Sequence, residues 1–314
     1  MSRTVHTESP HVPVMLERCL DALSPRPDTW LADGTFGAGG HTRAILARGA
    51  RVVAIDQDPH AAEHAEALRR DLRTAGVAEP SDRFRFVHGN FADLGAHLES
   101  IGLAARESLH GVLLDLGVSS MQLDEGERGF AFRQEGPLDM RMGGSGPSAA
   151  DVVNGWSFEQ LAAALHRFGE ERHSRRLARA IVAERDREPI TTTGRLVEVI
   201  QRAYPSRSGA GPRRDHPARR TFQALRIVVN DELGALERGL SAAAEALAPG
   251  GRLVVLAYHS LEDRIVKRAL LDRPDLEPLT KRPLEASPAE VSANPRARSA
   301  KLRGARKREP EPRP

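Results

Sequence analysis

Short apolar runs alternate with segments of helical period over the first 115 residues. The runs fall at 29–32, 51–55, 83–87 and 111–114, and helical spacing occupies 16–23, 41–48 and 60–73. The run at 111–114 is apolar throughout, as in a strand buried on both faces. Strands alternating with helices predict an α/β sheet. Residues 1–10 read as a loose arm. From residue 124 the pattern changes. Residues 124–150 are rich in glycine, charge and methionine, too long for a plain connection, and read as a functional loop. Ser157-Phe158-Glu159-Gln160 is a capping box that opens a helix with Phe158, Leu161, Leu165 and Phe168 on one face. Further helices are expected at 171–184 and 193–203. Residues 124–218 are therefore read as a helical domain inserted after the fourth strand. Residues 1–123 and 219–314 form one discontinuous domain around it.

Pro217 suits the first position of the next helix. Phe222, Leu225, Val229, Leu233, Leu236, Leu240 and Leu247 continue from it at helical spacing as a core stripe. Ala248-Pro249-Gly250-Gly251 stops that helix and turns into a fifth strand at 252–257. A charged helix at 261–271 and two weak strands near 279–284 and 299–303 complete the chain.

The turn after the first strand is Asp33-Gly34-Thr35-Phe36-Gly37-Ala38-Gly39-Gly40-His41. Strand, glycine turn and helix open a nucleotide site at the carboxyl ends of α/β strands. The dinucleotide fingerprint fails here, because Gly37-Ala38-Gly39 needs a third glycine at 42 and has Thr42. Asp33 would repel a pyrophosphate. It suits a ligand with a positive group, such as the amino-acid moiety of S-adenosylmethionine; a purely structural turn is the other reading. Asp56, at the end of the second strand, is the candidate acceptor for a ribose diol, while Asp58 precedes a proline and equally suits a helix cap. Phe91 either walls an adenine or belongs to the core. Asp115 ends the fourth strand, and Tyr258-His259-Ser260 ends the fifth, on the same edge as Gly39 and Asp56.

Composition narrows the classes. Cys19 is the only cysteine of the 314 residues, which rules out an intrachain disulfide or a cysteine zinc cluster and suits a reducing cytosol. No metal is expected. No apolar stretch is long enough to span a bilayer, so a cytoplasmic protein without a membrane partner is expected. Net charge is only +3, but 202–220 carries six arginines against Asp215, and 296–308 carries seven positive residues and no acid. Such segments suit a polyanion, or an ordinary solvated surface.

Asp33–His41 and Leu113-Leu114-Asp115-Leu116-Gly117-Val118-Ser119-Ser120 resemble the bacterial 16S ribosomal RNA cytosine-N4 methyltransferase family, the RsmH or MraW type. So do residues 136–142, 216–233, 259–267 and 294–302, and the similarity runs from about 11 to 308. The resemblance implies a Rossmann-like class I S-adenosylmethionine-dependent methyltransferase with an inserted helical domain. It implies methylation of the N4 amine of a cytidine in the decoding region of 16S ribosomal RNA, in the small ribosomal subunit. It carries cofactor contacts onto Gly39, Gly40, His41, Asp56, Phe91, Asp115 and Gln122. The family usually has proline where this chain has Met121, which loosens the loop before Gln122. Asp115 is the candidate acceptor for an amine N–H, or it only holds the cofactor; His259 is the second catalytic candidate. Asp115-Leu116-Gly117-Val118 lacks the aromatic that many amino-methyltransferases place here, so Phe130, Phe132 or Tyr258 is expected to stack on the base. A nicotinamide-dependent oxidoreductase and a non-catalytic RNA-binding assembly factor are the rival classes.

Overall fold

The computed structural model describes residues 13–204 and 216–310. In chain order its elements are α1 (Leu16–Leu23), β1 (Trp30–Asp33), α2 (Gly40–Ala47), β2 (Arg51–Asp56), α3 (Ala61–Thr74), β3 (Phe84–His88), α4 (Leu94–Ser100) and β4 (Leu109–Asp115). Then come α5 (Ser120–Asp124), α6 (Ala149–Gly155), α7 (Phe158–Gly169), α8 (Ser174–Arg185), α9 (Thr193–Ala203) and α10 (Ala218–Val229). The chain closes with α11 (Glu232–Ala246), β5 (Leu247–Ala257), α12 (Ser260–Leu271), β6 (Leu276–Pro278), β7 (Leu284–Glu285), α13 (Pro288–Ala293) and β8 (Lys301–Lys307). None of these helices is long and apolar enough to cross a membrane.

Two compact units result, Met1–Gly117 with Leu233–Pro314, and Val118–Glu232. In the first, the sheet order is β3-β2-β1-β4-β5-β8-β6, with β7 also on β8. Strands β1 to β5 run parallel, and β8 is antiparallel to β5, β6 and β7. Period-two alternation divides the side chains between two cores. Val52, Ala54, Leu113, Val254 and Leu256 pack with α1, α2 and α3. Val53, Ile55, Val112, Leu114 and Val255 pack with α4, α11 and α12. The strand order reverses between β1 and β4, which opens a crevice at their carboxyl ends.

The second unit has its own core, formed by α6 to α10 with Leu138, Met140 and Met142. Those three residues come from the stretch expected to be a functional loop, and they are buried. The expected domain borders move outward, from 124 to 118 and from 218 to 232. Helix α10 belongs to the inserted unit because Phe222, Ala224 and Leu225 lie in its core.

The long stripe from Phe222 to Leu247 is also two helices rather than one. The break falls at Asn230 and Asp231, the latter at φ 46°. The expected turn at 248–251 is a bulge within β5: its pairing with β4 jumps from Leu109↔Leu247 to Gly111↔Arg252.

Candidate active site

β1 ends at Asp33, β2 at Asp56, β4 at Asp115 and β5 at Ala257, with Tyr258 and His259 next. These four strands are parallel neighbours, so their ends share one edge of the sheet.

Asp33 closes the glycine loop on itself. It is 1% exposed; its Oδ2 accepts from the Thr42 hydroxyl at 2.7 Å and its Oδ1 from the Thr35 N–H at 3.2 Å. Burial pushes its pKa up, opposed by His41, Thr42 and the Thr35 amide. The sequence pointed this carboxylate at a cationic ligand, whereas the structure turns both oxygens to the loop and to α2.

The glycines divide by task. Gly37 and Gly39 take φ of 53° and 79°. A Cβ on Gly39 would sit 2.7 Å from the Phe36 ring, and one on Gly40 2.4 Å from Pro13 Cγ. Packing alone therefore excludes a side chain at both. A Cβ on Gly37 would meet no atom of the described residues within 4 Å, so among them its backbone borders open space. The Gly37 N–H donates to Asp56 Oδ2 at 2.7 Å, and the Asp58 N–H to Asp56 Oδ1 at 2.8 Å. Asp56 thus ties the glycine loop to the turn after β2. Burial raises its pKa and the two amides oppose that. Each oxygen keeps acceptor capacity beyond these bonds. Asp58 caps its own turn, with Oδ1 accepting from the His60 N–H at 3.0 Å. Phe91 is half-buried against the core, its ring 2.4 Å from where a Cβ of Gly239 would stand.

Asp115 is the centre of a buried polar group. Its amide donates to Thr35 Oγ1 at 2.7 Å, and its Oδ1 accepts from the Tyr258 hydroxyl at 2.7 Å. His41 Nδ1 lies 3.8 Å from Oδ2. Burial pushes the Asp115 pKa up to about 7, against the Tyr258 hydrogen bond and with help from the Glu262 charge. The side chain remains 24% exposed. Burial lowers the His41 pKa, so a neutral ring stands beside Asp115 at neutral pH. Its Nε2 is buried with no hydrogen-bond partner among the described residues.

His259 does not join this group by any hydrogen bond to Asp115 among the described residues. It is the N-cap of α12: its Nδ1 accepts from the Glu262 N–H, and Glu262 Oε2 accepts from the Tyr258 and His259 amides at 2.8 and 3.2 Å. The structure thus gives its imidazole a capping task where the sequence suggested a catalytic one. Tyr258, read as a stacking aromatic, instead grips Asp115. Phe130 is buried in the second unit, and Phe132 stacks on His216 with ring centroids 4.7 Å apart. Gln122 also belongs to the second unit. Its Oε1 accepts from the Ser119 N–H at 3.0 Å in the capping box of α5, which closes the turn that Met121 was expected to loosen.

Thr35, Glu262 and the Tyr258 hydroxyl escaped the sequence reading as site groups. The position of Tyr258 just past β5 was the one signal available for it. Of the basic segments, Arg207, Arg213, Arg214 and Asp215 lie outside the described residues. Most of 296–308 is β8, and its cations find acids from other elements. Arg303 and Lys301 pair with Asp263, Lys307 with Asp275 and Arg306 with Glu277.

The model of the MraW methylase family matches residues 8–308. Ribosomal RNA small subunit methyltransferase H of Deinococcus radiodurans is 53% identical over 302 residues, covering 96% of this chain and 91% of that one. The Caulobacter vibrioides protein of the same name is 48% identical over 316 residues, 95% of each chain. Matched along nearly its whole length, and with relatives at about half identity, the chain belongs to the MraW methylase family.

Proposed function

We propose that the protein transfers a methyl group from S-adenosylmethionine to the N4 amine of a cytidine in 16S ribosomal RNA of the small subunit, with Asp115 at the reacting centre. The setting of Asp115 carries this reading: a partly exposed carboxyl at the end of β4, held by Tyr258, on the edge that carries the glycine loop. The relatives' name supports small-subunit ribosomal RNA as the substrate class.

The residues present fit the cofactor. Among the described residues Gly37 borders open space and His41 keeps a buried nitrogen without a hydrogen-bond partner, while Asp56 retains acceptor capacity for ribose hydroxyls. Gly39, Gly40, His41, Asp56, Phe91 and Asp115, all of the first unit, would hold it. Bound there, it supplies a methyl already activated on a sulfonium. The protein's part is then positioning and proton handling. Cytosine's exocyclic nitrogen is a weak nucleophile because its lone pair is delocalised into the ring. An acceptor for its N–H favours attack and stabilises the charge that develops on nitrogen. With Oδ1 on Tyr258, Asp115 Oδ2 faces the amine and takes the one proton that it sheds. A pKa of about 7 suits a base working near neutral pH.

Asp115→Asn tests this. Turnover should fall by roughly 10²–10³ with cofactor affinity, by calorimetry, little changed. Lost affinity with recovered turnover at saturating cofactor would leave Asp115 only the cofactor to hold. Nucleoside mass spectrometry should find N4-methylcytidine. A C5-methyl product would require a cysteine nucleophile, and Cys19 is fully buried with its thiol pKa pushed up by that burial.

A further inference from the structure

The inserted unit carries a group of arginines that no tally of charge along the sequence singles out. Arg167 lies in α7, Arg172 between α7 and α8, and Arg175, Arg176 and Arg179 in α8; all five are exposed. None of them pairs with a carboxylate among the described residues. Three stand over aromatic rings: Arg167 at 5.2 Å from the Phe168 centroid, Arg175 at 5.2 Å and Arg179 at 5.9 Å from that of Phe158. A guanidinium stacked in this way keeps its N–H donors for another partner. The neighbouring acid Glu171 is buried, and its carboxylate accepts from the Tyr204 hydroxyl and the His173 amide.

Arg175 and Arg179 share one flank of α8, about 6 Å apart along the axis, with Arg176 about 60° further round from Arg179. That spacing is close to the separation of successive phosphates in a nucleic-acid strand. The contrast is with β8, where most of the charge is neutralised within the fold. An apolar protein partner is disfavoured, because the only exposed large hydrophobic side chains among the described residues, Leu271 and Leu279, belong to the first unit.

We propose that the arginines of α7 and α8 form a phosphate-binding face that docks the backbone of the ribosomal RNA substrate, an inference that rests on the RNA substrate proposed above. Unpaired guanidiniums bind phosphate bidentately, read no sequence, and set register on the strand.

The test is the slope of log Kd against log salt for the full-length protein on unmodified small ribosomal subunits and on protein-free 16S ribosomal RNA. Arg175→Ala/Arg176→Ala/Arg179→Ala should weaken binding and reduce the slope by about 2, from three lost phosphate contacts. The corresponding triple lysine variant should restore most of that slope. Arg70→Ala/Arg73→Ala, on exposed positions of α3, should leave it unchanged. An unaltered slope in the alanine triple variant overturns the proposal. A decrement on subunits but not on protein-free RNA assigns the face to a ribosomal protein and also overturns it. A slope change in a protein that methylates no subunit would overturn the proposed reaction and leave the face standing.

Discussion

Asp115 is buried enough to resist ionisation, and Tyr258 is the neighbour that favours its charged form. The other groups around it act as follows. Glu262, from α12, raises its pKa, and Asp33 and Cys19 each share an electrostatic interaction with it. His41, from α2, lies near Oδ2. Tyr258→Phe keeps the ring and removes the hydrogen bond to the carboxylate. Because that bond lowers the pKa, its loss moves the pKa up from about 7. A rate that needs ionised Asp115 rises with pH, so the acid limb of kcat should shift upward by about one unit. At pH 7 the variant should then be roughly 5-fold slower than the parent, and at pH 9 close to it. A limb that does not move would reduce Tyr258 to packing. The strand-end placement of Asp115 was legible because it follows from a local apolar run. Its grip by Tyr258, 143 residues away, was not, because no local pattern encodes a contact of that separation. At His259 too the local pattern left two roles open: a polar residue just past a strand is equally the cap of the next helix, and here it caps α12 through the Glu262 amide.

At the scale of elements, the alternation of strands and helices and the capping box at Ser157 were readable, since both are local signals. The break between α10 and α11 was not, because the apolar stripe runs through it without interruption. What stops α10 is a tertiary contact. The Asn230 side chain accepts from the Met142 N–H at 2.8 Å and donates to the Met140 and Arg226 carbonyls at 2.8 and 2.9 Å. It thereby satisfies backbone groups of a buried stretch. Asn230→Ala removes all three bonds and leaves Met142 N–H without that acceptor, which should cost about 2–3 kcal/mol in urea unfolding. A loss below about 0.5 kcal/mol would mean that water replaces the side chain there. The strand at β8 failed as a basic segment on similar grounds. Its acids come from α12 and from residues 275 and 277, so neutralisation appears only once the sheet is assembled.

At the scale of the molecule, the sequence showed an insertion because a helical pattern interrupts the α/β alternation. It placed the borders too far inward because hydrophobic period does not say which core a helix joins. The structure assigns Ala218–Val229 to the inserted unit through Phe222, Ala224 and Leu225. With its borders at Val118 and Glu232, that unit lies in the size range of single domains. Its buried set, which includes Leu161, Leu165, Leu177, Ile181, Leu196 and Ile200, draws on five helices and on the Leu138–Met142 stretch. That stretch is bound within the unit: the Leu138 amide donates to the Thr191 carbonyl, and the Met140 amide to the Arg128 carbonyl. A core closed in this way supplies its own burial and backbone partners. Expressed alone, residues 118–232 should therefore show helical circular dichroism and one cooperative thermal transition, with near- and far-ultraviolet signals lost together. Leu177→Ala, at 0% exposure, should lower the stability of that fragment by about 2–5 kcal/mol, as in an ordinary core. A broad, gradual melt insensitive to that substitution would show that the helices depend on the first unit for their packing.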